Sequence, residues 1–258
     1  MSTQAIFQRY SVRSVDMHGR GIGPSPASDA TPIVFVVDND VAVRRSLKLL
    51  IRRGGWRGET FASAHAFLRS PRPVVPTCLV LNISLSDSNG LDLQKRVAIE
   101  RPDMPIIFIA DKVDIPTTVQ AIKAGAIEFF TKPLLHDVLV TAIREGIERS
   151  RNALGYEGEM QVLRDRHGSL SLRELQVMTL VVSGLLNKEV GAEMGISEVT
   201  VKAHRGRVMK KMEADSLAEL VKMSERLNTP ASAVSIADSG SRRFSKPAPS
   251  LRPREIRS

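Results

Sequence analysis

Residues 187–209 have the sequence NKEVGAEMGISEVTVKAHRGRVM, which predicts two helices joined by a tight turn. Gly195 supplies the turn, because a residue without Cβ adopts a positive φ at no steric cost. Ser197 is placed to cap the second helix through its hydroxyl. Apolar residues at helical spacing predict the seam between the two helices: Val190, Met194, Ile196, Val201, Val208 and Met212. The segment is therefore predicted to be a helix-turn-helix.

The outer face of the second helix combines positive charge with small side chains. At about 100° per residue, the side opposite the seam carries Lys202, Ala203, Gly206, Arg207 and Lys210, with Lys211 at its flank. Such a face can enter a DNA major groove, which is about 12 Å wide. Double-stranded DNA is the predicted partner, and the candidate contacts are Lys188, Thr200, Lys202, Ala203, His204, Arg205, Arg207, Lys210 and Lys211.

Two of these candidates are expected to play limited parts. Lys188 begins the preceding helix and is a candidate for phosphate contact only. His204 lies near the edge of the seam, so packing or a phosphate contact is favoured over base recognition. A basic surface helix on an unrelated bundle is the alternative, but turn, cap, seam and basic face all agree with a helix-turn-helix.

Amphipathic helices surround this motif after Gly168. Four are predicted, at about Arg173–Ser183, Lys188–Met194, Glu198–Met212 and Leu217–Leu227. Gly191 and Gly206 lie inside two of them, and each is expected to cost about 1 kcal/mol of helix stability relative to alanine. The last 60 residues or so before the tail therefore predict an all-α domain of four helices.

The preceding part of the chain alternates short apolar runs with amphipathic stretches. The predicted strands are Ile33–Val37, Arg57–Phe61, Cys78–Leu81, Ile106–Ala110 and Glu128–Thr131. The predicted helices are Val41–Arg53, Ala62–Arg69, Leu91–Glu100, Thr117–Ala124 and Leu135–Arg149, the last continuing as a linker that Gly155 and Gly158 should loosen or break. Buried strands separated by helices predict a parallel sheet covered on both faces, an α/β flavodoxin-like (βα)5 domain.

Composition agrees with a two-domain protein of 258 residues. The net charge of +9 indicates a polyanionic partner, and much of the excess lies in the last segment, at Arg242, Arg243, Lys246, Arg252, Arg254 and Arg257. The predicted divisions are a flexible tail 1–31, an α/β domain 32–150, a partly helical linker 151–167, a helical domain 168–228 and a basic disordered tail 229–258. Apolar runs are too short for a membrane span. The single cysteine, Cys78, is expected to be a buried apolar residue, which indicates a reducing, cytoplasmic location.

The helical domain resembles the LuxR-type helix-turn-helix of NarL/FixJ response regulators. The resemblance rests on residues 170–174 (LSLRE), Gly184, residues 187–190 (NKEV) and residues 200–204 (TVKAH), and it spans about residues 170–227. It implies that the third helix enters the major groove and that the fourth helix forms a homodimer. The residues implied for the dimer face are Leu217, Leu220, Val221 and Ser224.

Residues 32 to about 150 resemble the receiver domain of the same regulators, from residues 36–38 (VVD) to residues 131–133 (TKP). The resemblance implies a phosphorylation pocket, yet this chain keeps only Asp38 and Lys132 of its residues. Asn39 stands at the second acidic position, Asn82 at the acceptor position and Ala110 at the Ser/Thr position. An amide cannot usefully attack phosphorus as a carboxylate does, so the sequence predicts a receiver without its acceptor.

Other residues of this predicted pocket have structural interpretations. Asp40 and Asp87 are weaker candidates for a substitute acceptor, and turn chemistry explains Asp87. Phe129 stands at the position of the family's rotating aromatic and is expected to pack. Lys132 is expected to pair with Asp38.

The function predicted from these patterns is a DNA-binding transcription regulator that acts without phosphorylation, as a dimer, through residues 197–212. The alternative is a switch in which the receiver sequesters the DNA-binding domain until a protein partner or ligand releases it. An enzyme is not predicted, because the five histidines are scattered and no phosphate-binding glycine motif follows the first strand. The sequence names no cofactor and no metal ligands.

Overall fold

The computed structural model describes residues 30–112 and 114–228. The chain divides into two compact units, with the boundary between Glu159 and Met160. The predicted tails lie outside the described residues, except for Ala30 and Thr31. Within the part of the chain that the structure describes, no helix is long and apolar enough to cross a membrane.

The first unit is built on a parallel sheet of five strands in the order β2-β1-β3-β4-β5. The strands are β1 (Ile33–Val37), β2 (Arg57–Phe61), β3 (Thr77–Asn82), β4 (Ile106–Ala110) and β5 (Glu128–Thr131). Every residue of β1, β3 and β4 is buried, which explains why β1 and β4 are continuous apolar runs and why β3 is apolar between its two end residues. The predicted flavodoxin-like fold is confirmed.

Helices alternate with these strands and cover the sheet. They are α1 (Val41–Arg53), α2 (Ala64–Leu68), α3 (Gly90–Glu100), α4 (Ile115–Lys123) and α5 (His136–Gly168). Successive strand residues face opposite sides, so β1 contributes Phe35 to a core with α2 and α3 and Val36 to a core with α1 and α5. Because all five strands are parallel, their carboxyl ends lie at one edge of the sheet.

Helix α5 is one continuous helix of 33 residues, which corrects the prediction of a break at Gly155 and Gly158. Burial at its two ends offsets the helix-breaking tendency of these glycines. Ile143 and Ile147 are buried in the first unit, and Met160 and Leu163 are buried in the second. Each glycine costs about 1 kcal/mol relative to alanine, whereas each fully buried large apolar side chain contributes about 1.5–3 kcal/mol.

Cys78 lies at the centre of the sheet and is fully buried, as predicted. Burial raises the pKa of its thiol to about 12, so the sulfur is held in its protonated, unreactive form. Helix α5 packs directly over it: a Cβ added to Gly146 would lie 2.7 Å from the Cys78 Sγ. Cys78 is therefore part of the packing between sheet and helix.

Up to residue 228, the second unit contains the end of α5 and four further helices. These are α6 (Leu172–Val182), α7 (Asn187–Met194), α8 (Glu198–Met212) and α9 (Leu217–Asn228). Ser171 and Glu174 form a reciprocal cap at the start of α6, and their spacing accounts for where that helix begins. The core at the helix junction contains Val177, Val181, Val190 and Val201. The predicted all-α domain is confirmed.

The two helix glycines of this unit differ in their surroundings. A Cβ added to Gly191 would lie 2.8 Å from the carbonyl oxygen of Ile196, whereas a Cβ added to Gly206 would have no atom within 4 Å. The predicted cost relative to alanine therefore applies to Gly206. For Gly191 the prediction is corrected, because the missing side chain lets the turn before α8 approach α7.

Candidate nucleic-acid interface and strand-end pocket

Helix α8 is fixed by its cap, its turn and its buried side. Gly195 adopts φ 65°, as the turn requires. The Ser197 hydroxyl accepts a hydrogen bond of 3.2 Å from the Thr200 amide and so caps the helix. Val201, Val208 and Met212 are all buried, as the predicted seam requires. The opposite side of α8 consequently faces solvent.

The cations predicted on that outer side are exposed. Lys202, Arg207 and Lys210 lie there together with the small residues Ala203 and Gly206. Lys188, in the first turn of α7, and Thr200 are also exposed. The structure thus brings a basic, shallow helix face to the surface, which is the geometry that a DNA major groove accepts.

Lys202 has an internal partner that the sequence analysis missed. Its Nζ lies 3.1 Å from the Glu198 carboxylate, one helical turn earlier, and both side chains remain largely exposed. The i, i+4 spacing of glutamate and lysine is the sequence signal that could have found this pair. Glu198 places a negative charge at the end of α8 that is predicted to meet DNA.

Arg205 and Lys211 were predicted as DNA contacts, and the structure directs both toward protein atoms. Arg205 Nη1 donates a hydrogen bond of 3.1 Å to Asn187 Oδ1 and so ties α8 to α7. Lys211 Nζ donates to the carbonyl oxygen of Ser169 at 2.9 Å and to the Glu174 carboxylate at 2.7 Å. Both side chains hold the helices in place, and their assignment to the DNA-facing set stays a prediction.

Glu174 is the centre of this second network. Besides Lys211, its carboxylate accepts a hydrogen bond of 2.9 Å from the Ser171 amide. The hydrogen bond from Lys211 and the bond from Ser171 together lower the pKa of Glu174 to about 2. The carboxylate therefore joins the start of α6 to the end of α8 while it stays ionised.

His204 is half-buried at the edge of the seam, as its helical position predicts. Its Nδ1 is buried and has no hydrogen-bond partner among the described residues. This placement favours a packing role over base recognition, in agreement with the sequence analysis.

The predicted dimer face on α9 is only partly exposed. Leu220 is fully buried in the helical unit, so its assignment to that face is wrong. Leu217 is 36% exposed, and Val221 and Ser224 are half-buried. Apolar residues occur on two sides of α9, and helical spacing alone could not say which side packs inward.

A second group of polar residues lies at the carboxyl ends of the strands. The Asp38 carboxylate, after β1, is completely buried and lies 3.1 Å from Lys132 Nζ, which follows β5. The same ammonium lies 3.4 Å from the Asp111 carboxylate, which follows β4 and is largely exposed. The pair of Asp38 and Lys132 was predicted, whereas Asp111 was missed, although its place directly after a buried strand is the signal that could have found it.

Two amides occupy the middle of this pocket. The Asn82 Nδ2 group donates to Asn39 Oδ1 at 3.3 Å, and Asn82 Oδ1 accepts a hydrogen bond of 3.1 Å from the Ser84 amide. Asn82 is buried at the end of β3. The amides are therefore hydrogen-bonded within the protein.

The remaining carboxylates near these strand ends cap helices. Asp40 Oδ1 accepts a 2.7 Å hydrogen bond from the Ala42 amide at the start of α1. Asp87 accepts hydrogen bonds from the amides of Ala64 and His65 at the start of α2, at 3.2 and 3.1 Å. The bond from the His65 amide is the largest cause of a lowered pKa at Asp87. Both side chains thus have structural roles.

Ala110 and Phe129 complete the pocket on its β4–β5 side. Ala110 is fully buried and has no hydroxyl. The Phe129 ring stacks on Phe108, with ring centroids 5.9 Å apart and planes inclined by 26°. Phe129 also packs against the core beside α3. The prediction that this aromatic packs is consistent with its position.

Two family models match the chain in consecutive segments. Residues 34–144 match the response regulator receiver domain, and residues 168–224 match the luxR family of bacterial regulatory proteins. Nodulation protein W of Bradyrhizobium diazoefficiens is 44% identical over 208 residues, which are 81% of this chain and 92% of that protein. The chain belongs to the LuxR/FixJ type of response regulators.

A further relative and a solved structure are also similar to this chain over about three quarters of its length. The transcriptional regulatory protein FixJ of Bradyrhizobium diazoefficiens is 35% identical over 193 residues, 75% of this chain and 94% of that protein. The solved structure of the response regulator StyR covers 76% of this chain and 100% of its own, with 42% identity and a TM-score of 0.69. The chain is thus a response-regulator transcription factor with a LuxR-type DNA-binding domain.

Membership of the response regulators implies a magnesium ion in the strand-end pocket, and the residues present do not fit one. Magnesium prefers several anionic oxygen ligands. Here the Asp38 carboxylate pairs with Lys132 and accepts the Asp40 amide at 2.8 Å, while Asn39 and Asn82 offer neutral amide oxygens that already accept hydrogen bonds. Within residues 30–112 and 114–228, no group of three or more His, Cys, Asp or Glu residues could hold a metal ion.

Proposed function

We propose that this response regulator binds promoter DNA as a dimer, through residues 197–212, without phosphorylation of its receiver. The proposal assigns residues 32–150 to the receiver, 151–167 to the linker and 168–228 to the DNA-binding domain, and it places the protein in the bacterial cytoplasm with the DNA. The observation that carries it is the amide of Asn82 at the acceptor position, hydrogen-bonded on both its polar atoms.

The chemistry of Asn82 supports independence from phosphate. Phosphorylation of a receiver requires a carboxylate that attacks phosphorus and forms an acyl phosphate. A neutral amide oxygen is a poor nucleophile, and that of Asn82 already accepts the Ser84 amide. Ala110 also offers no hydroxyl with which to follow a phosphoryl group.

The neighbouring carboxylates do not readily replace the acceptor. Asp40 and Asp87 each accept amide hydrogen bonds at the start of a helix, so modification of either would remove a helix cap. Lys132, which would bind the phosphoryl group, lies between Asp38 and Asp111. Its positive charge is thereby already balanced by protein carboxylates.

The proposed receiver dimer uses the face formed by α4, β5 and α5. Three apolar side chains along α4 are exposed, namely Ile115, Val119 and Ile122. Beside them, β5 and α5 line a shallow groove in which Phe130, Val138 and Ala142 lie among polar residues, namely Glu128, Asp137, Thr141 and Glu145. Exposed apolar side chains concentrated on one face favour an interface between copies. A receiver fragment that remains monomeric at high concentration would contradict this part of the proposal.

The direct test uses purified full-length protein that has received no phosphodonor. Genomic DNA fragments are selected by binding and the bound fragments are footprinted. We expect protection of paired half-sites about one helical turn apart or less, as a dimer requires. If the full chain binds nothing specifically while a fragment of residues 160–258 binds tightly, sequestration by the receiver is the better description.

The role of α8 is tested by Lys202→Ala combined with Arg207→Ala. We expect a large loss of affinity and a decrease of roughly 2 in the slope of log affinity against log salt, because two cationic contacts disappear. The matched control is Lys48→Ala with Arg52→Ala, which removes the same charge from exposed positions of α1. Unchanged affinity of the α8 double variant would refute the assigned interface.

A further inference from the structure

Val199 is an exposed apolar side chain on the helix that is assigned to DNA. It is the second residue of α8 and 76% of it is exposed to solvent. Valine has a lower helix propensity than alanine, and this side chain gains almost nothing from burial. Neither packing nor helix propensity therefore explains why position 199 is a valine.

The position of Val199 on α8 places it in the middle of the exposed face. At about 100° per residue, Val199, Ala203 and Gly206 fall within roughly 60° of one another, opposite the buried side formed by Val201 and Val208. All three are small or apolar, and all three are exposed. They form an apolar strip along the centre of α8.

Cations border this strip on both sides. Lys202 and Arg207 are exposed at its flanks, and Lys210 continues it toward the end of the helix. An apolar protein partner would have to bury or displace these charges, which is costly. A DNA major groove instead supplies phosphates at its walls for the cations and base edges at its floor for the apolar strip.

Only one of the four bases offers an apolar group in the major groove, and that group is the C5 methyl of thymine. In a helix-turn-helix, the first residues of the recognition helix contact base edges. Val199 is at that end of α8, one helical turn before the small residue Ala203. The side chain is therefore suited to a methyl contact and cannot hydrogen-bond to any base.

We infer that Val199 recognises the C5 methyl group of a thymine in each operator half-site. The inference rests on the proposed binding of DNA through α8 and adds a base preference to it. Lys202 and Arg207 supply phosphate or guanine contacts, while Val199 makes one position of the half-site prefer thymine.

The test replaces the thymines of the selected operator one at a time by deoxyuridine, which lacks only the methyl group. At one thymine in each half-site, we expect the full-length protein to lose roughly fourfold in affinity, the equivalent of burying one methyl group. Val199→Ala should bind the thymine and uracil operators equally at that position. Val199→Ile, which keeps the apolar branch, should retain the preference for thymine.

Leu172→Ala is the matched control, since Leu172 is 82% exposed and lies at the start of α6. It should show the same thymine preference as the unaltered protein. Circular dichroism checks that the Val199 variants are folded, which the solvent exposure of the side chain leads us to expect.

Three outcomes would overturn the inference. One is a thymine-to-uracil effect that is as large in Val199→Ala as in the unaltered protein, because another residue would then read the methyl group. A second is the absence of any such effect. A third is a Val199→Ala variant with normal base preference but reduced transcription from bound promoters, which would assign Val199 to a protein contact. Failure of the unaltered protein to select any sequence would instead refute the proposed function.

Discussion

Among single residues, Glu198 and Lys202 form an ion pair on the exposed side of α8 in the protein without DNA. Their side chains are 46% and 62% exposed and lie 3.1 Å apart. An exposed ion pair of this kind contributes less than about 1 kcal/mol, so the lysine can readily exchange its partner for a phosphate. The glutamate, by contrast, remains at the end of α8 that is proposed to meet the DNA, where its charge would repel phosphates.

Glu198→Gln should therefore tighten DNA binding. Removal of one negative charge about 4 Å from a phosphate is worth about 1 kcal/mol in water, or roughly fivefold in affinity at low salt. Binding titrations at several salt concentrations measure this gain, which should shrink as salt increases. Asp92→Asn is the control, because it breaks a similar exposed pair with Lys95 on α3 and changes the net charge equally. Equal gains in both variants would mean that only net charge matters.

The sequence predicted correctly whether a side chain faces solvent or the core where this depends only on its position along one helix. Helical spacing placed Lys202 and Arg207 outward and Val201 inward, and the structure agrees. The bond between Lys211 and Glu174 was not predicted, because Glu174 comes from a helix far away in the sequence. The side chain of Leu220 was misplaced for a related reason, since the helix that covers it is set by the tertiary fold.

At the scale of helices and strands, Glu174 links two helices of the second unit. It caps α6 through the Ser171 amide and pairs with Lys211 of α8, which also bonds to the Ser169 carbonyl before α6. Helix α8 is thus anchored at its end by a carboxylate that must stay ionised. The spacing of serine and glutamate is a sequence signal for this cap that the sequence analysis did not use, whereas no local signal indicates the lysine.

Acid should therefore weaken the helical unit in a defined pH range. The pKa of Glu174 is lowered from its ordinary value of 4.5 to about 2. A lowered pKa contributes stability that is complete above pH 4.5 and is lost as the pH falls toward 2. Urea unfolding of a fragment of residues 160–258 between pH 6 and 2 measures this loss, and Glu174→Gln should flatten the curve over that range.

Glu189→Gln provides the comparison, because Glu189 makes the equivalent cap at the start of α7, accepting a 2.7 Å hydrogen bond from the Leu186 amide. This variant should keep the loss of stability that Glu174 causes. An acid response that is identical in Glu174→Gln and in the unaltered fragment would show that other carboxylates dominate.

For the whole molecule, alternation of strands and helices was sufficient to predict the (βα)5 fold and the separate helical domain. Continuity of α5 was not predicted, because the burial of Met160 and Leu163 depends on helices that follow them in the chain. The pocket at the strand ends was predicted in its main residues, since parallel strands bring their carboxyl ends together. Asp111, which directly follows β4, was missed even though its position at a strand end is the same signal that found Asp38 and Lys132.

Restoring the acceptor chemistry should convert the molecule into a phosphorylation-dependent one. The unaltered protein, treated with a small acyl phosphate and magnesium, should gain no phosphoryl group, and its affinity for DNA should not change. Asn82→Asp alone supplies a nucleophile but leaves one carboxylate fewer at the metal position, so it should be labelled weakly. Asn39→Asp, Asn82→Asp and Ala110→Ser together should be labelled to a high level.

Intact-mass spectrometry measures the added phosphoryl group, and DNA titrations of the same samples measure its effect. The control is Asn39→Asp with Ala110→Ser, which alters the pocket without supplying the acceptor and should remain unlabelled. Labelling of the unaltered protein would contradict the proposal directly, and mapping the modified residue to Asp40, Asp87 or Asp111 would identify a substitute acceptor. A triple variant that is labelled to a high level without any change in DNA affinity would contradict the expected conversion to phosphorylation dependence.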